Sequence, residues 1–333
     1  MARTADELLG AYGPSRLNWH EVHPHVGQTL GWVRLKVLHY EHNGVGVIIS
    51  RGLQRIGVHS RVLSSAPHPF GFKEDFLFPR HRFRTWRRIC RRSEWKEYYD
   101  FDILHSHDNL RLPEEVLIHW RGKLIQHYHD PKTTGPLYPV DIPSFASLPG
   151  ILRAVPNARW LPIPVETDVF APQKRVPHET VRIGYCAQSF DPAKQRFIPS
   201  REIDSALNGL STKVEAFPLL NIVQHERMTE YYGQIDVWVD RVGHDFYGFA
   251  AVEAAAMGIP VVTQIGEKEK PFVPRCPFIS VDRADVTETI VSLAQDKTLR
   301  EGLGARAREY AVEVHDSTKV ARRCLELYER LME

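Results

Sequence analysis

A chain of 333 residues that is 43% hydrophobic and 25% charged has the composition of a globular protein, and its length suits two domains better than one. No run of eighteen apolar residues occurs, so a membrane-spanning helix is not expected, and the formal net charge is only +2. The opening stretch, MARTADELLGAYGPSR, lacks the basic start and apolar core of a secretory signal. Cys90, Cys186, Cys276 and Cys324 stand far apart with no C-x-x-C pair, which argues against a zinc finger or a disulfide framework and for a reducing, cytoplasmic setting.

The small net charge hides an uneven distribution. Residues 1–100 carry 16 Lys/Arg against 9 Asp/Glu, and the remainder is acidic. Within the basic part, Arg80, Arg82, Arg84, Arg87, Arg88, Arg91 and Arg92 alternate with Phe83, Trp86 and Ile89. Basic charge interleaved with aromatics suits an anionic partner. A peripheral contact of residues 80–92 with an anionic membrane is the preferred reading, and nucleic acid is disfavoured. A solvated amphipathic helix with its aromatics turned to the core fits the same pattern.

Strands and helix-length segments alternate from residue 34 onward. VRLKVLHYE reads as a strand that ends in the turn His42-Asn43-Gly44-Val45-Gly46. VIISRGLQRIG has helical periodicity with Gly57 as its stop, SRVLSS is a second strand, and FDILHSH and KLIQHYH are two more, separated by a helix around PEEVLIHW. This order implies parallel pairing with right-handed crossovers. Residues 130–149 are rich in Pro, Thr, Gly and Ser and read as a long functional loop. ARWLPIPVETDVFAPQKRVPHET, with four prolines and few helix signals, then reads as an interdomain linker. A second α/β series follows, from VRIGYCA through IDVWVD, FAAVEAAAM, IPVVT and FISV to the terminal helices.

The segment DFYGFAAVEAAAMGIPVV, Asp245 to Val262, carries the strongest functional signal. A loop leads from strand IDVWVD into an alanine-rich helix whose N-terminus offers backbone N–H groups and partial positive charge to a diphosphate. Glu253 is a carboxylate on an otherwise apolar helix, where a ribose diol would engage it; a buried Glu satisfied by its neighbours is the alternative. The turn Gly44-Val45-Gly46 does not complete G-x-G-x-x-G, since Ile49 fills the third glycine position, and no G-x-x-x-x-G-K-[ST] occurs. His105/His107 and His127/His129 are spaced to share a sheet face, but no carboxylate or cysteine pattern accompanies them, so no metal is expected. Asp100-Phe101-Asp102 reads D-x-D, a metal-binding pattern, but it only opens a strand.

YGFAAVEAAAMGIPVVT resembles the E-x7-E region of GT-B glycosyltransferases of family 4. PNARWLPIPVETDVF is similar to that family's entry into its second domain, and HERMTEYYGQIDVWVD to its helix–strand unit before the signature. The resemblance implies two Rossmann-like α/β domains facing across a cleft: residues 1–164 for the acceptor, residues 165–312 for the donor, and a C-terminal helix, 313–333, at their junction. It also implies transfer of a sugar from a UDP- or GDP-sugar to an acceptor hydroxyl, with retention, and with the nucleotide sugar as co-substrate rather than any cofactor. Glu253 matches the family's ribose-binding Glu, and Asp245 occupies the position of the Glu that contacts the transferred sugar. Gly248 and Phe249 start the donor helix. His129 matches a histidine near the reacting sugar, with His107 and Asn43 as further substrate contacts and Gly44 and Gly46 in the glycine-rich loop. Lys194 matches the Lys of the family's diphosphate-binding pair. The Arg position falls near Gln188 or Ser189, with Arg196 or Arg241 as the compensating cation. A sugar-nucleotide epimerase of the same fold and a non-catalytic sugar-nucleotide or nucleic-acid-binding protein remain the alternatives.

Overall fold

The computed structural model describes residues 35–41, 43–77, 100–108, 120–137, 141–174, 178–185, 187–191, 196–199, 201–208, 210 and 214–333. The basic segment 80–92 and Lys194 lie outside these residues, as do most residues of the expected helix around 113–120. No described helix is long and apolar enough to cross a membrane.

The first half forms a parallel sheet from strands β1 (Lys36–Tyr40), β2 (His59–Ser64), β3 (Phe76–Leu77), β4 (Ile103–His107), β5 (Lys123–Tyr128), β6 (Ser144–Ala146) and β7 (Ala158–Trp160). Their order is β3-β2-β1-β4-β5-β6-β7. The direction of strand succession reverses between β1 and β4, and such a switch point opens a crevice at the carboxyl ends of the strands. Helix α1 (Val45–Arg55) connects β1 to β2 and buries Val45, Ile49 and Leu53 on the sheet. It ends as its sequence predicts, with the Gly57 amide donating to the Gln54 carbonyl.

The second half builds a parallel sheet in the order β11-β8-β12-β13-β14, from β8 (Val181–Tyr185), β11 (Val214–Pro218), β12 (Val237–Val239), β13 (Val261–Thr263) and β14 (Ile279–Ser280). Its switch point falls between β8 and β12. Alternation along β12 sends Trp238 to one core and Val237 and Val239 to the other. One face carries α4 (Phe249–Ala256). The other carries α2 (Arg201–Asn208) and α5 (Val286–Gln295) together with the start of α6 (Lys297–Tyr310). Helix α3 (Met228–Tyr232) precedes β12.

Two expectations from the sequence are corrected. Ser144–Ala146, inside the expected loop 130–149, is a strand in which Phe145 sinks into the core; it starts just after Pro143, where the missing donor does no harm. Ala158–Trp160, inside the expected linker, closes the first sheet as its edge strand. The region after β8 forms an antiparallel pair of β9 (Ala187–Asp191) and β10 (Arg196–Pro199).

The chain crosses between the two halves twice, and the crossings lie side by side. Val165 donates to the His315 carbonyl at 2.8 Å and its own carbonyl accepts from Ser317 at 2.8 Å. A π-helical turn, Ala311–His315, redirects the chain into α7 (Ser317–Met332), which packs Val320, Ala321, Cys324 and Tyr328 against α1 and the first sheet. Arg51 and Arg55 of α1 clamp the buried Glu166 at 2.8 and 2.9 Å. His315, fully enclosed, pairs its Nδ1 with the Ile163 carbonyl (2.7 Å) and its Nε2 with Tyr247 Oη (3.1 Å). Burial lowers its pKa from 6.5 to about 4.

This depression carries a pH signature. The unfolded chain binds the His315 proton below pH 6.5 and the folded chain does not until about 4, so the neutral ring's contribution is full above 6.5 and is lost as pH falls through that window. The expected loss is on the order of 3 kcal/mol. Denaturant unfolding of His315→Gln between pH 7 and 4 should show a stability slope shallower than the parent's by up to one proton; an identical slope would refute this account.

Candidate active site

Parallel register fixes what the carboxyl edge of the first sheet displays. His39 of β1 pairs with His105 of β4, and His107 pairs with His127 of β5. With a side-chain period of two, His39, His105, His107 and His127 share one face, and His129 extends the row past the strand end. The first four are fully buried and His129 is half-buried. The rings are linked: His39 Nδ1 to His107 Nε2 at 3.1 Å, His107 Nδ1 to His129 Nε2 at 2.9 Å, and His129 Nδ1 and His127 Nε2 both to Ser147 Oγ, at 2.8 and 3.0 Å. His105 Nδ1 meets Tyr328 Oη at 2.6 Å. Burial, and then neighbouring imidazoles, hold His105, His107 and His127 well below their ordinary pKa; burial takes His39 to about 3. These four rings are neutral at physiological pH.

Asp108 and Asn43 organise the rim. Asp108 is the single non-glycine residue with positive φ (49°) among the described residues, a conformation that costs free energy and persists only where contacts fix it. The contacts are there. Its Oδ1 accepts from the His129 and Asp130 amides at 2.6 and 3.0 Å, and its Oδ2 accepts from Asn43 Nδ2 at 2.5 Å. Asp108 therefore sets the backbone of His129. Sequence reading missed it, as it missed His39; only the Asp after the HSH strand end hinted at it.

The glycine-rich turn is satisfied from within. Glu41, buried, accepts from the amides of Asn43 (3.0 Å), Gly44 (2.8 Å) and Gly46 (3.3 Å). Its carboxyl thus fills the concave side of the turn. Burial pushes its pKa up to about 7 against the pull of those three amides. Gly44 has φ +88° beneath Phe72, and a Cβ on Gly46 would stand 2.8 Å from Glu41 Cγ and 2.9 Å from His107 Nε2. These glycines shape the turn around Glu41 and His107.

In the second half, β12 is followed by the buried Asp240, whose Oδ2 accepts from the Gly248 amide at 2.6 Å at the N-terminus of α4. One first-turn donor is thereby taken internally, and Phe249, Ala250 and Ala251 supply the others. The exposed Arg241 lies alongside: its Nη2 is 3.0 Å from the position of a Cβ on Gly248. Phe249 packs against the cores of both halves. Glu253 is buried, with Oε1 2.9 Å from His225 Nε2 and Oε2 accepting from Tyr232 Oη at 2.9 Å. Two of its roughly four acceptor sites are thus used. His225 stacks 4.2 Å from Phe72 and donates its amide to the Phe70 carbonyl, joining this pair to the first half. Asp245 is exposed on the loop before α4, with its carbonyl accepting from the Gly266 amide. Arg196 lies in β10, and Lys194 is outside the described residues. Asp100 and Asp102 brace Lys36 at the amino ends of β1 and β4, away from the histidine edge.

Two parallel α/β sheets joined by a double crossing, each with its switch point at the carboxyl edge, are the GT-B fold. No family model matches the chain, and a search of curated proteins returns no match. Solved structures do match over nearly the whole length. Sucrose-phosphate synthase from Thermosynechococcus elongatus superposes with a TM-score of 0.63 at 15% identity, over 90% of this chain and 99% of that one. A glycosyltransferase from Rickettsia africae gives 0.62 at 14%, over 91% and 100%. Anabaena HepE, solved with UDP and glucose, gives 0.60 at 10%, over 89% and 100%.

The turn geometry is testable on its own. Gly46→Ala should lower stability by about 1–3 kcal/mol through overpacking against Glu41 and His107, and Gly44→Ala by a similar amount through Phe72 and the left-handed backbone. Gly135→Ala, at a glycine with open space around it, serves as the control and should move the urea midpoint little. Equal midpoints for all three variants would rule out the packing described.

Proposed function

We propose that this protein transfers a sugar from a nucleoside-diphosphate sugar to an acceptor hydroxyl. The carrying observation is the arrangement around α4 on a GT-B frame. Arg241 lies against the helix N-terminus, the first-turn amides lie beside it, and the buried Glu253 is held by His225 and Tyr232. The helix N-terminus and Arg241 stabilise the leaving diphosphate where negative charge develops, and Lys194 and Arg196 add to them. Glu253 accepts the ribose hydroxyls on its remaining lone pairs, in an orientation fixed by its two partners. Asp245 contacts the transferred sugar. Across the cleft, His129 orients the reacting hydroxyl, with His107 and Asn43 beside it.

The resemblance of the α4 segment to family 4 supports retention at the anomeric carbon and a diphosphate neutralised by protein cations. A UDP- or GDP-sugar is the proposed donor, and the UDP bound to the structurally similar HepE favours the first. The acceptor is proposed to approach from the first half, with residues 80–92 serving a lipid-linked acceptor at an anionic surface of the cytoplasmic membrane.

Screening UDP-, GDP- and ADP-sugars by thermal shift should identify one that stabilises the protein, because a ligand of the native state raises Tm by mass action. Glu253→Gln should then weaken that donor by about 10–100-fold, the worth of a hydrogen bond to a charged group. Arg241→Ala should lower kcat by tenfold or more through lost charge stabilisation. Absence of any nucleotide-sugar shift, or full turnover in both variants, would overturn the proposal.

A further inference from the structure

The five-histidine row contains more than a hydrogen-bonded core explains. Four imidazoles, each carrying at least one N–H, and one hydroxyl form the chain His39–His107–His129–Ser147–His127, which has four links but at least five hydrogens. One hydrogen always lacks an acceptor within the chain. The ring nitrogens at its two ends, His39 Nε2 and His127 Nδ1, are buried and have no partner among the described residues. An unmet buried polar atom is costly, and five imidazoles packed with ring centroids as close as 3.9 Å multiply the opportunity for one.

We infer that His107, His127 and His129 form a binding site for a borderline divalent transition-metal ion of the zinc class, ligated through His107 Nδ1, His127 Nδ1 and His129 Nε2. Three features carry it, against the sequence expectation of no metal. First, one ring nitrogen from each of the three lies within 4.8 Å of the other two, and His107 Nδ1 and His129 Nε2 are already 2.9 Å apart. Two nitrogens on a tetrahedral zinc stand roughly 3.3 Å apart, given bonds of about 2.0–2.1 Å. Second, this choice of ligand atoms leaves the other nitrogen of every ring as an N–H aimed at an acceptor: His107 Nε2 at His39 Nδ1, and His127 Nε2 and His129 Nδ1 at Ser147 Oγ. Metal-bound histidines characteristically have such an outer partner, which fixes tautomer and ring orientation. Third, the half-buried His129 gives the site a route to solvent.

His39, His105 and His107 form a second triad of the same dimensions, sharing His107. All three of its members are fully buried, so it offers no comparable entry. A zinc-class ion held by three histidines is of the type that polarises a bound hydroxyl or water. The site shares His107 and His129 with the sugar-transfer proposal, and metal binding tests it separately from turnover.

The test uses the untagged full chain, stripped with chelator and titrated with Zn2+ by calorimetry and with Co2+ by visible absorption. One equivalent should bind, and Co2+ should develop the intense bands of a low-coordinate site with nitrogen ligands. His127→Gln and His129→Gln should each lose stoichiometric binding. Ser147→Ala, which keeps all three ligands, should weaken it by about 10–100-fold with an unchanged far-UV spectrum. His105→Gln should bind normally. Failure of the folded parent to bind one equivalent of either ion would overturn the inference. So would full binding by His127→Gln, or loss in His105→Gln with retention in His127→Gln.

Discussion

Parallel pairing of β1, β4 and β5 in matched register is the constraint on which the rest of the first half depends. In parallel strands the paired residues point to the same face, and residues two apart along each strand do so as well. The apolar residues Val37, Ile103 and Ile125 thereby form one continuous surface for α1 and α7. The same rule continues that surface into His39, His105, His107, His127 and His129 at the carboxyl edge. A slip of one residue would turn the histidines to the opposite face and remove the seat of both helices. Core and candidate site are thus one decision, made by register.

Buried carboxylates form the second organising theme. Glu41 holds the turn before α1, and Asp240 caps the start of α4. Glu166 receives two arginines of α1 beside the double crossing, and Glu269 accepts from Arg153 of the first half at 2.6 Å. Each is compensated by amides or guanidinium groups, as burial of charge demands. The result is a cleft whose walls are tied together by polar contacts spanning both halves. Phe249 and His225 add an apolar seam at the same level. Glu253 belongs to this set as well as to the donor site proposed for it, since its two partners fix its orientation whatever it binds.

Much of the architecture was legible from residue patterns. The runs KVLHY, HSRVLS, ILHSH and KLIQHY are apolar or alternating with clear punctuation, and each became a strand. Gly57 ended α1 because a left-handed residue there closes the last turn, a purely local matter. The errors fell where local composition and tertiary pairing disagree. Ser144–Ala146 and Ala158–Trp160 are three-residue strands set among prolines, and they owe their conformation to the neighbouring strands rather than to their own propensity.

The candidate site divides along the same line. By itself the sequence determined the alternation of the elements, the two histidine pairs, and the isolation of Glu253 on an apolar helix, because periodicity and composition are properties of neighbours in the chain. Only the tertiary structure decided that His39 joins those pairs from another strand, that Glu41 fills the glycine-rich turn, and that Asp108 holds His129 through a strained backbone. Each of those facts is a contact between residues whose meeting depends on register or on the fold of a turn. A buried polar group is explained by what surrounds it, and for the histidine row the surroundings come from three strands, a loop serine and the tyrosine of the last helix.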